Sequence, residues 1–292
     1  MNKSVDEPAA SKTAFGVWRL ATGNRYSADV RGKRCSEDKE NERNAGKGEC
    51  DMDIRVKEII DRSSKVVFFG GAGVSTESNI PDFRSESGLY HAMNEYGYPP
   101  EQMLSRTFFI NHTEMFYDYY KNNLIYTDAL PNKAHIALAE LEKEGNVTAV
   151  VTQNIDGLHQ KAGSRKVYEL HGTVIKNRCM DCGRPYDLDY IMDEKNCTNG
   201  VPKCSHCGGI VKPEVVLYEE PLDDEVMRGA VKAISEADTL IVGGTSLVVY
   251  PTAGLINYFN GNDIVLINKS KTDYDRCASL VINDSIGEVL GL

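Results

Sequence analysis

Residues 65–76, KVVFFGGAGVST, decide the fold of this chain because they join a buried strand to a glycine-rich turn. Val66–Phe69 is continuously apolar, which is typical of a parallel strand covered on both faces. Similar runs recur at residues 147–152, 239–242 and 263–267, separated by helical stretches at about 132–144, 222–236 and 251–259. This alternation predicts an α/β fold, a Rossmann-like doubly wound parallel sheet.

Three segments depart from this rhythm. Residues 1–51 are polar and charged with almost no apolar periodicity, so we predict a disordered tail before one domain at 52–292. Residues about 86–126 carry Tyr, Phe and Met at helical spacing and predict a small helical insert. Residues about 175–212 hold paired cysteines and predict a small zinc-binding module inserted in the same core.

Composition limits the functional classes. The chain has 292 residues and a formal net charge of −10, which argues against a general nucleic-acid-binding surface. Residues 1–25 lack the apolar core of a secretory signal, and no stretch approaches the roughly 18 apolar residues of a membrane span. We therefore expect a cytoplasmic protein with no nucleic-acid or membrane partner, and the oligomeric state stays open.

Four cysteines stand in two pairs, Cys179-Met-Asp-Cys182 and Cys204-Ser-His-Cys207. Two CxxC pairs about twenty residues apart have the spacing of a structural zinc site, whose four thiolates leave no position for a substrate. Cys197 lies between the pairs without a CxxC partner and is the poorest ligand candidate. A disulfide framework is the alternative, but a chain of this length does not need one.

Glycine-rich and polar segments follow the predicted strands. Gly70–Thr76 could bring the backbone to a pyrophosphate, although a tight turn without a ligand explains its glycines equally well. Thr152–His159, TQNIDGLH, could supply hydrogen bonds to a sugar or an amide, with helix capping as the alternative. Gly243–Ser246 and Asn268 follow two later strands. Because the carboxyl ends of parallel strands meet at one edge, these segments predict a ligand crevice there.

Two more segments are candidates for function. Residues 79–84, NIPDFR, could form a loop that closes over a cofactor, or a surface loop with a local ion pair. His171, in Glu169-Leu170-His171-Gly172, is the natural general base because imidazole titrates near neutrality. An isolated histidine is nevertheless more often structural.

Five motifs occur along the chain in this order: GAGVSTESNIPDFR, TQNIDGLH, ELHGT, CxxC…CxxC and GGTSLVVYPTAGL. Together they resemble the sirtuin family of NAD-dependent protein deacylases, and the chain looks like a short bacterial-type member. The resemblance covers about residues 52–292. It implies that NAD, consumed as a co-substrate, binds between a Rossmann domain and a small domain with structural zinc. It implies cofactor contacts from Ala72, Gly73, Thr76, Ile80, Phe83, Arg84, Gln153, Ile155, Asp156, Thr245, Ser246, Asn268 and Ile286.

The resemblance also implies a reaction on acetylated protein lysines. The acyl oxygen displaces nicotinamide from the NAD ribose, His171 acts as general base on a ribose hydroxyl, and Asn154 is a second catalytic residue that contacts the ribose. The products are nicotinamide, deacetylated lysine and O-acetyl-ADP-ribose. Residues 213–220 resemble the strand that pairs with the substrate backbone, with Val216 and Tyr218 lining the lysine tunnel.

Some residues depart from the family pattern. Asn79 and Glu219 stand where Gly is frequent; Asn tolerates positive φ, and the Glu219 carboxylate is expected to discourage acidic residues in the peptide. Tyr117 matches the Tyr of a Tyr-x-x-Arg pair that holds succinyl groups in some relatives, but Tyr120 stands in place of the Arg. Without that cation, an uncharged acyl group such as acetyl is expected. The alternatives are a NAD-dependent protein ADP-ribosyltransferase, a deacylase for other uncharged acyl groups, and a non-enzymatic zinc-ribbon binding module.

Overall fold

A computed structural model describes residues 52–82 and 93–291, together with the backbone of Arg19–Leu20. Its strands, numbered in chain order, are β1 Arg19–Leu20, β2 Val66–Gly70, β3 Val147–Thr152, β4 Val167–Glu169, β5 Gly172–Cys179, β6 Pro185–Asp187, β7 Cys197–Thr198, β8 Val201–Pro202, β9 Val211–Val215, β10 Thr239–Gly243, β11 Val249–Tyr250, β12 Asp263–Ile267 and β13 Leu280–Ile282. Its α-helices include Ile54–Asp61, Pro100–Met103, Arg106–Asn111, Thr113–Asn123, Lys133–Glu144, Leu158–Ala162, Leu188–Met192, Asp224–Glu236 and Ile286–Leu290.

The central sheet has six strands in the order β13-β12-β10-β2-β3-β4, and every neighbouring pair is parallel. The chain runs outward from β2 to β3 and β4 on one side, and from β10 to β12 and β13 on the other. The strand order therefore reverses between β2 and β10, which makes this boundary the topological switch point where such sheets bind ligands. The predicted fold class is confirmed.

Alternate side chains of β2 enter two different cores, which explains its continuous apolar run. Val66 and Phe68 pack on one face of the sheet, in a cluster with residues of the helices Ile54–Asp61 and Lys133–Glu144. Val67 and Phe69 pack on the other face, in a cluster with residues of the helix Asp224–Glu236. All four side chains are fully buried.

The helical insert and the zinc module form one small domain. A third core cluster joins residues of the helix Thr113–Asn123, such as Phe116 and Tyr117, to Cys179, Ile191 and Val211 of the cysteine-bearing segment. β5 pairs antiparallel with β6 and β9 in this domain. The two segments predicted as separate excursions from the sheet therefore share their hydrophobic core.

The helix Lys133–Glu144 is fixed at its start to the glycine-rich turn. Asn132 caps it, accepting hydrogen bonds from the N–H groups of Ala134 and His135, and its Nδ2 donates to the carbonyl of Val74 at 2.7 Å. Gly145 ends the helix with a φ of 91°, a conformation that favours glycine. Asn132 therefore both begins this helix and ties it to the turn after β2.

Some predicted elements differ from those observed. Residues 251–259, predicted as a helix, form the 3₁₀ helix Thr252–Tyr258, and β9 ends at Val215 within the predicted strand 213–220. The backbone of Arg19–Leu20 pairs antiparallel with Val249–Tyr250, and the rest of the predicted tail lies outside the described residues. The domain boundaries remain predictions. In the described ranges, we find no helix with the length and apolar character to cross a membrane.

Candidate active site

The carboxyl ends of four strands lie side by side and carry the predicted motifs. Gly70 of β2 is in register with Gly243 of β10 and with Thr152 of β3, which is in register with Glu169 of β4. The loops that follow contain residues 71–76, 244–246, 153–156 and 170–171. Parallel register therefore brings together side chains that are far apart in the sequence.

These loops line a crevice of about 180 Å³ at the switch point. Most of the predicted site residues border it: Ala72, Ile80, Gln153, Asn154, Ile155, Asp156, His171, Val216, Tyr218, Thr245 and Ser246. Its apolar end is formed in part by Leu104, Leu124 and Leu217, which the sequence did not single out. Phe83 and Arg84 lie outside the described residues.

His171 is held by the loop that follows β3. Its side chain is only 7% exposed, and its Nδ1 lies 2.9 Å from the carbonyl oxygen of Gln153. A carbonyl can only accept, so Nδ1–H donates, and the lone pair of the neutral imidazole is at Nε2. The backbone of His171 is anchored too, because its carbonyl accepts from the N–H of Val216 at 2.9 Å. Tautomer and position both suit a general base.

Ser75 joins two of the predicted site residues. It is 1% exposed, accepts a hydrogen bond from Asn154 Nδ2 at 3.0 Å, and donates to Asp156 Oδ2 at 2.7 Å. The other oxygen of Asp156 accepts from the N–H of Leu158 at 2.9 Å, but the N-cap of the helix Leu158–Ala162 is Gly157, so Asp156 steadies the turn before the helix without being its cap. Sequence reasoning did not assign Ser75 a role, although it stands within the glycine-rich motif.

Four predicted cofactor residues do not line the crevice: Gly73, Thr76, Asn268 and Ile286. Gly73 packs against the loop after β10, since a Cβ on Gly73 would lie 2.7 Å from the Cα of Gly244. The Thr76 hydroxyl donates to the carbonyl of Gly73 at 3.0 Å. These contacts give both residues a part in loop packing.

Asn268 and Ile286 support the loop after β10 from behind. Asn268 Oδ1 accepts from the N–H of Thr245 at 3.0 Å. Thr245 Oγ1 in turn lies 3.2 Å from Gln153 Nε2. Ile286 packs against Gly243, where a Cβ would come within 2.9 Å of its Cδ1. Contacts of these two residues with a bound cofactor stay a prediction.

The substrate-side wall is less strand-like than its sequence suggested. Beyond Val215, the N–H of Val216 donates to His171, that of Leu217 to Glu220 Oε2, and that of Tyr218 to the carbonyl of Leu104. A peptide that pairs with residues 216–218 could not use these N–H groups, and the carbonyl oxygens of Leu217 and Tyr218 already accept from the N–H groups of Glu220 and Arg106. The Glu219 carboxylate accepts hydrogen bonds from the N–H and the hydroxyl of Thr107, and its effect on acidic peptide residues stays a prediction.

Tyr117 and Tyr120 belong to the core of the small domain. Both are fully buried, Tyr117 donates to the carbonyl of Val211, and neither lines the crevice. Burial raises the pKa of both hydroxyls above the ordinary value. The sequence match to an acyl-binding pair therefore does not describe the acyl end of this crevice.

Two buried histidines pack beneath Asp156. The rings of His135 and His159 are 4.7 Å apart in an edge-on arrangement. Burial lowers the pKa of His135 to about 4 and that of His159 to about 3, so both are neutral near pH 7. His159, part of TQNIDGLH, therefore has a packing role.

The four paired cysteines converge outside the crevice. The Sγ atoms of Cys179, Cys182, Cys204 and Cys207 all lie within 4.8 Å of one another. The Cys179–Cys207 and Cys182–Cys204 sulfur distances are 3.4 and 3.6 Å. These values are far above a disulfide bond of about 2.05 Å and close to the roughly 3.8 Å between ligands of a tetrahedral zinc. The donor set fits zinc, and Cys197 is not part of it.

Comparison with known proteins identifies the family. The family model described as the Sir2 family matches residues 71–251. The chain belongs to the Sir2 family. It is 64% identical over 235 residues to a protein of Clostridium acetobutylicum named NAD-dependent protein deacetylase, covering 80% of this chain and 95% of the relative. A protein of the same name from Clostridium perfringens is 62% identical over 238 residues, covering 81% and 96%.

Solved Sir2 structures show the same fold. The structure described as "Sir2-p53 peptide-NAD+" aligns with a TM-score of 0.71 at 36% identity, covering 81% of this chain and 94% of the other. Another, described as "Sir2 bound to acetylated peptide", aligns with a TM-score of 0.72 at 35% identity, again covering 81% and 94%. The family resemblance in the sequence is confirmed. The alternative of a non-enzymatic zinc-ribbon binding module is excluded.

Proposed function

We propose that this Sir2 protein is an NAD-dependent protein-lysine deacetylase, which produces nicotinamide, deacetylated lysine and O-acetyl-ADP-ribose. The observation that carries the proposal is His171, which the Gln153 carbonyl fixes with its lone pair at Nε2 in a crevice at the switch point. The names of relatives with 62–64% identity support the same activity.

The described residues suit NAD. The crevice combines the loop after β2 with polar side chains from three other loops, including Asn154, Asp156 and Thr245. Asn268 acts behind these groups, because its Oδ1 accepts from the N–H of Thr245 and so holds the loop after β10 in place. We propose that Ala72, Gln153, Asn154 and the loop after β10 hold the two halves of NAD.

NAD, when bound, would supply a ribose carbon that takes the acyl oxygen as the bond to nicotinamide breaks. Attack of a ribose hydroxyl on the acyl carbon would then expel the lysine amine, and water would supply the remaining oxygen of O-acetyl-ADP-ribose. His171 Nε2 takes a proton from a ribose hydroxyl, which makes that oxygen a better nucleophile toward the acyl carbon. The Gln153 carbonyl then stabilises the charged ring through Nδ1–H. General-base catalysis of this kind contributes about 10²–10⁴ in rate. Asn154, held by Ser75, orients the ribose.

The acetyl-lysine enters from the apolar end of the crevice. Leu104, Val216, Leu217 and Tyr218 surround this end and offer an uncharged acyl group an apolar wall. We propose an acetylated protein as the substrate, in line with the similar solved structure of Sir2 bound to an acetylated peptide. A cytoplasmic location, without nucleic-acid or membrane partners, completes the proposal.

Zinc has a structural role in this proposal. Four thiolates would fill its tetrahedron, and the cysteines lie apart from the crevice residues. Cys179 ends β5, and Cys182, Cys204 and Cys207 lie in the segments between β5 and β9, so the ion would tie these segments to β5.

The purified protein, incubated with NAD and an acetyl-lysine peptide, should release nicotinamide and O-acetyl-ADP-ribose, both detected by mass spectrometry. His171→Ala should lower turnover by about 10²–10⁴ while NAD binding persists. His112→Ala, at an exposed histidine, is the matched control and should retain activity. Absence of nicotinamide release would contradict the proposal, and transfer of ADP-ribose to protein without deacetylation would favour the ADP-ribosyltransferase alternative.

A further inference from the structure

The turn after β9 contains a glutamate in an unusual backbone conformation. Glu219 has a φ of 75°, in the left-handed region that favours glycine. Asn79 and Asn199 also have positive φ, but Asn tolerates this region better than Glu does. A glutamate persists there only where surrounding contacts hold it.

Thr107 provides these contacts. Glu219 Oε2 accepts hydrogen bonds from the Thr107 N–H at 2.9 Å and from its hydroxyl at 2.6 Å. Thr107 is the second residue of the helix Arg106–Asn111, where N–H groups lack partners within the helix. A residue 112 positions away thus satisfies one of them with a carboxylate, which is also the favoured charge at a helix start.

The contact between Glu219 and Thr107 joins two walls of the crevice, one formed by the turn 217–220 and the other by residues 104–107. The N–H of Tyr218 donates to the carbonyl of Leu104, and the N–H of Arg106 donates to the carbonyl of Tyr218, both at 2.9 Å. Leu104, Leu217 and Tyr218 all line the crevice. Glu219 and Thr107 directly extend this backbone ladder, so their contact fixes the distance between the walls.

The other side of the turn is anchored by an ion pair. Lys212 Nζ lies 3.0 Å from Glu220 Oε2, and each side chain is 18% exposed. Lys212 also donates to the carbonyl of Val215 at 3.1 Å, and Glu220 Oε2 accepts from the N–H of Leu217 at 2.9 Å. The turn 217–220 is therefore anchored on both sides, and it meets residues 104–107 through the two backbone bonds of Tyr218 and the side-chain contact of Glu219 with Thr107.

We propose that Glu219 is a positioning residue that sets the width of the apolar end of the crevice, where the acyl-lysine would enter, by fixing the turn 217–220 to residues 104–107. The proposal rests on the proposed deacetylase function. It assigns the carboxylate to Thr107 rather than to the exclusion of acidic peptide residues, which the sequence had suggested.

Glu219→Gly tests this role because it removes the carboxylate and suits the backbone conformation. We expect the KM for an acetyl-lysine peptide to rise about fivefold, the scale of one solvent-exposed charge-assisted hydrogen bond. The kcat and the KM for NAD should change less than about twofold, because their groups lie in other loops. A merely structural role would lower the melting temperature and kcat together.

Variants of the partner sharpen the test. Thr107→Val removes the hydroxyl donor and should raise the peptide KM about two- to threefold, whereas Thr107→Ser keeps the donor and should restore the wild-type value. Glu58→Gln, at an exposed glutamate of the helix Ile54–Asp61, is the matched control and should change nothing.

Binding of a fluorescent acetyl-lysine peptide without NAD separates this proposal from the proposed function. Weaker peptide binding by Glu219→Gly than by the wild type supports the positioning role. If the wild type released no nicotinamide, that result would contradict only the deacetylase proposal. An active wild type whose Glu219→Gly variant keeps the same peptide affinity and KM would overturn the positioning role.

Discussion

Replacing Ser75 with alanine should weaken both the fold and the use of NAD. The buried hydroxyl connects Asn154 to Asp156, with distances of 3.0 and 2.7 Å. A hydrogen bond to a charged group contributes about 1.5–3 kcal/mol and a neutral one about 1 kcal/mol. The free energy of unfolding should therefore fall by about 3 kcal/mol in Ser75→Ala, because alanine leaves the amide and the carboxylate without this partner.

This change is large enough to measure by thermal unfolding. In a domain of about this size, 1 kcal/mol shifts the melting temperature by about 2–4 °C, so we expect a fall of about 6–12 °C. If Asn154 and Asp156 hold the ribose and nicotinamide, kcat/KM for NAD should also drop at least about tenfold, which corresponds to about 1.4 kcal/mol. Nicotinamide release at varied NAD and saturating acetyl-lysine peptide measures it.

Ser78→Ala is the matched control. Ser78 is 7% exposed in the following 3₁₀ turn, and its Oγ has no hydrogen-bond partner within the described ranges. Its removal should leave both readouts unchanged or raise the melting temperature slightly. If Ser75→Ala behaved like Ser78→Ala, the network would not support the site, and the reasoning from these distances would be refuted.

Three further predictions concern buried groups. Because folded His135 and His159 stay neutral down to about pH 4 and about pH 3, while an unfolded histidine takes up a proton below about pH 6.5, the free energy of unfolding should fall as pH drops from 6.5 toward 4. Each ring contributes up to about 1.4 kcal/mol per pH unit to the dependence of the unfolding free energy on pH, so His159→Leu should make that dependence less steep. Urea unfolding between about pH 8 and pH 5 measures it, and an unchanged dependence would contradict the prediction. Cys204→Ser, or chelation, should remove zinc and unfold the small domain, seen by metal analysis and near-ultraviolet circular dichroism, with exposed Cys277→Ser as the control; retained activity without metal would show that zinc is dispensable. Tyr120→Arg should cost several kcal/mol in stability, because it buries an unpaired guanidinium, and should not create activity on succinyl-lysine peptides; rapid succinyl turnover would place residue 120 at the acyl group after all.

The α/β class, the cysteine tetrad and most crevice residues could be predicted from the sequence. Continuous apolar runs such as Val66–Phe69 reflect burial on both faces, and that burial is a property of each strand. The spacing of Cys179 to Cys182 and of Cys204 to Cys207 is also local, and this spacing by itself indicates a zinc site. Residues that follow parallel strands meet at one edge whichever strands are neighbours, which is why Asn154 and Thr245 border the crevice as expected. His171 follows β4, a strand that was not predicted, and its choice depended on the titration of imidazole and on the family resemblance.

Partners across the fold were decided only by the tertiary structure. Ser75 and Asp156 are 81 positions apart, and Thr107 and Glu219 are 112 apart. Their contacts depend on strand register and on the packing of one domain against the other, which no local pattern encodes. The same reason explains why Tyr117 and Tyr120, matched by sequence to an acyl pocket, lie in a core instead. Local sequence fixes burial and turn chemistry, whereas hydrogen-bond partners follow from distances of a few ångströms that the whole fold sets.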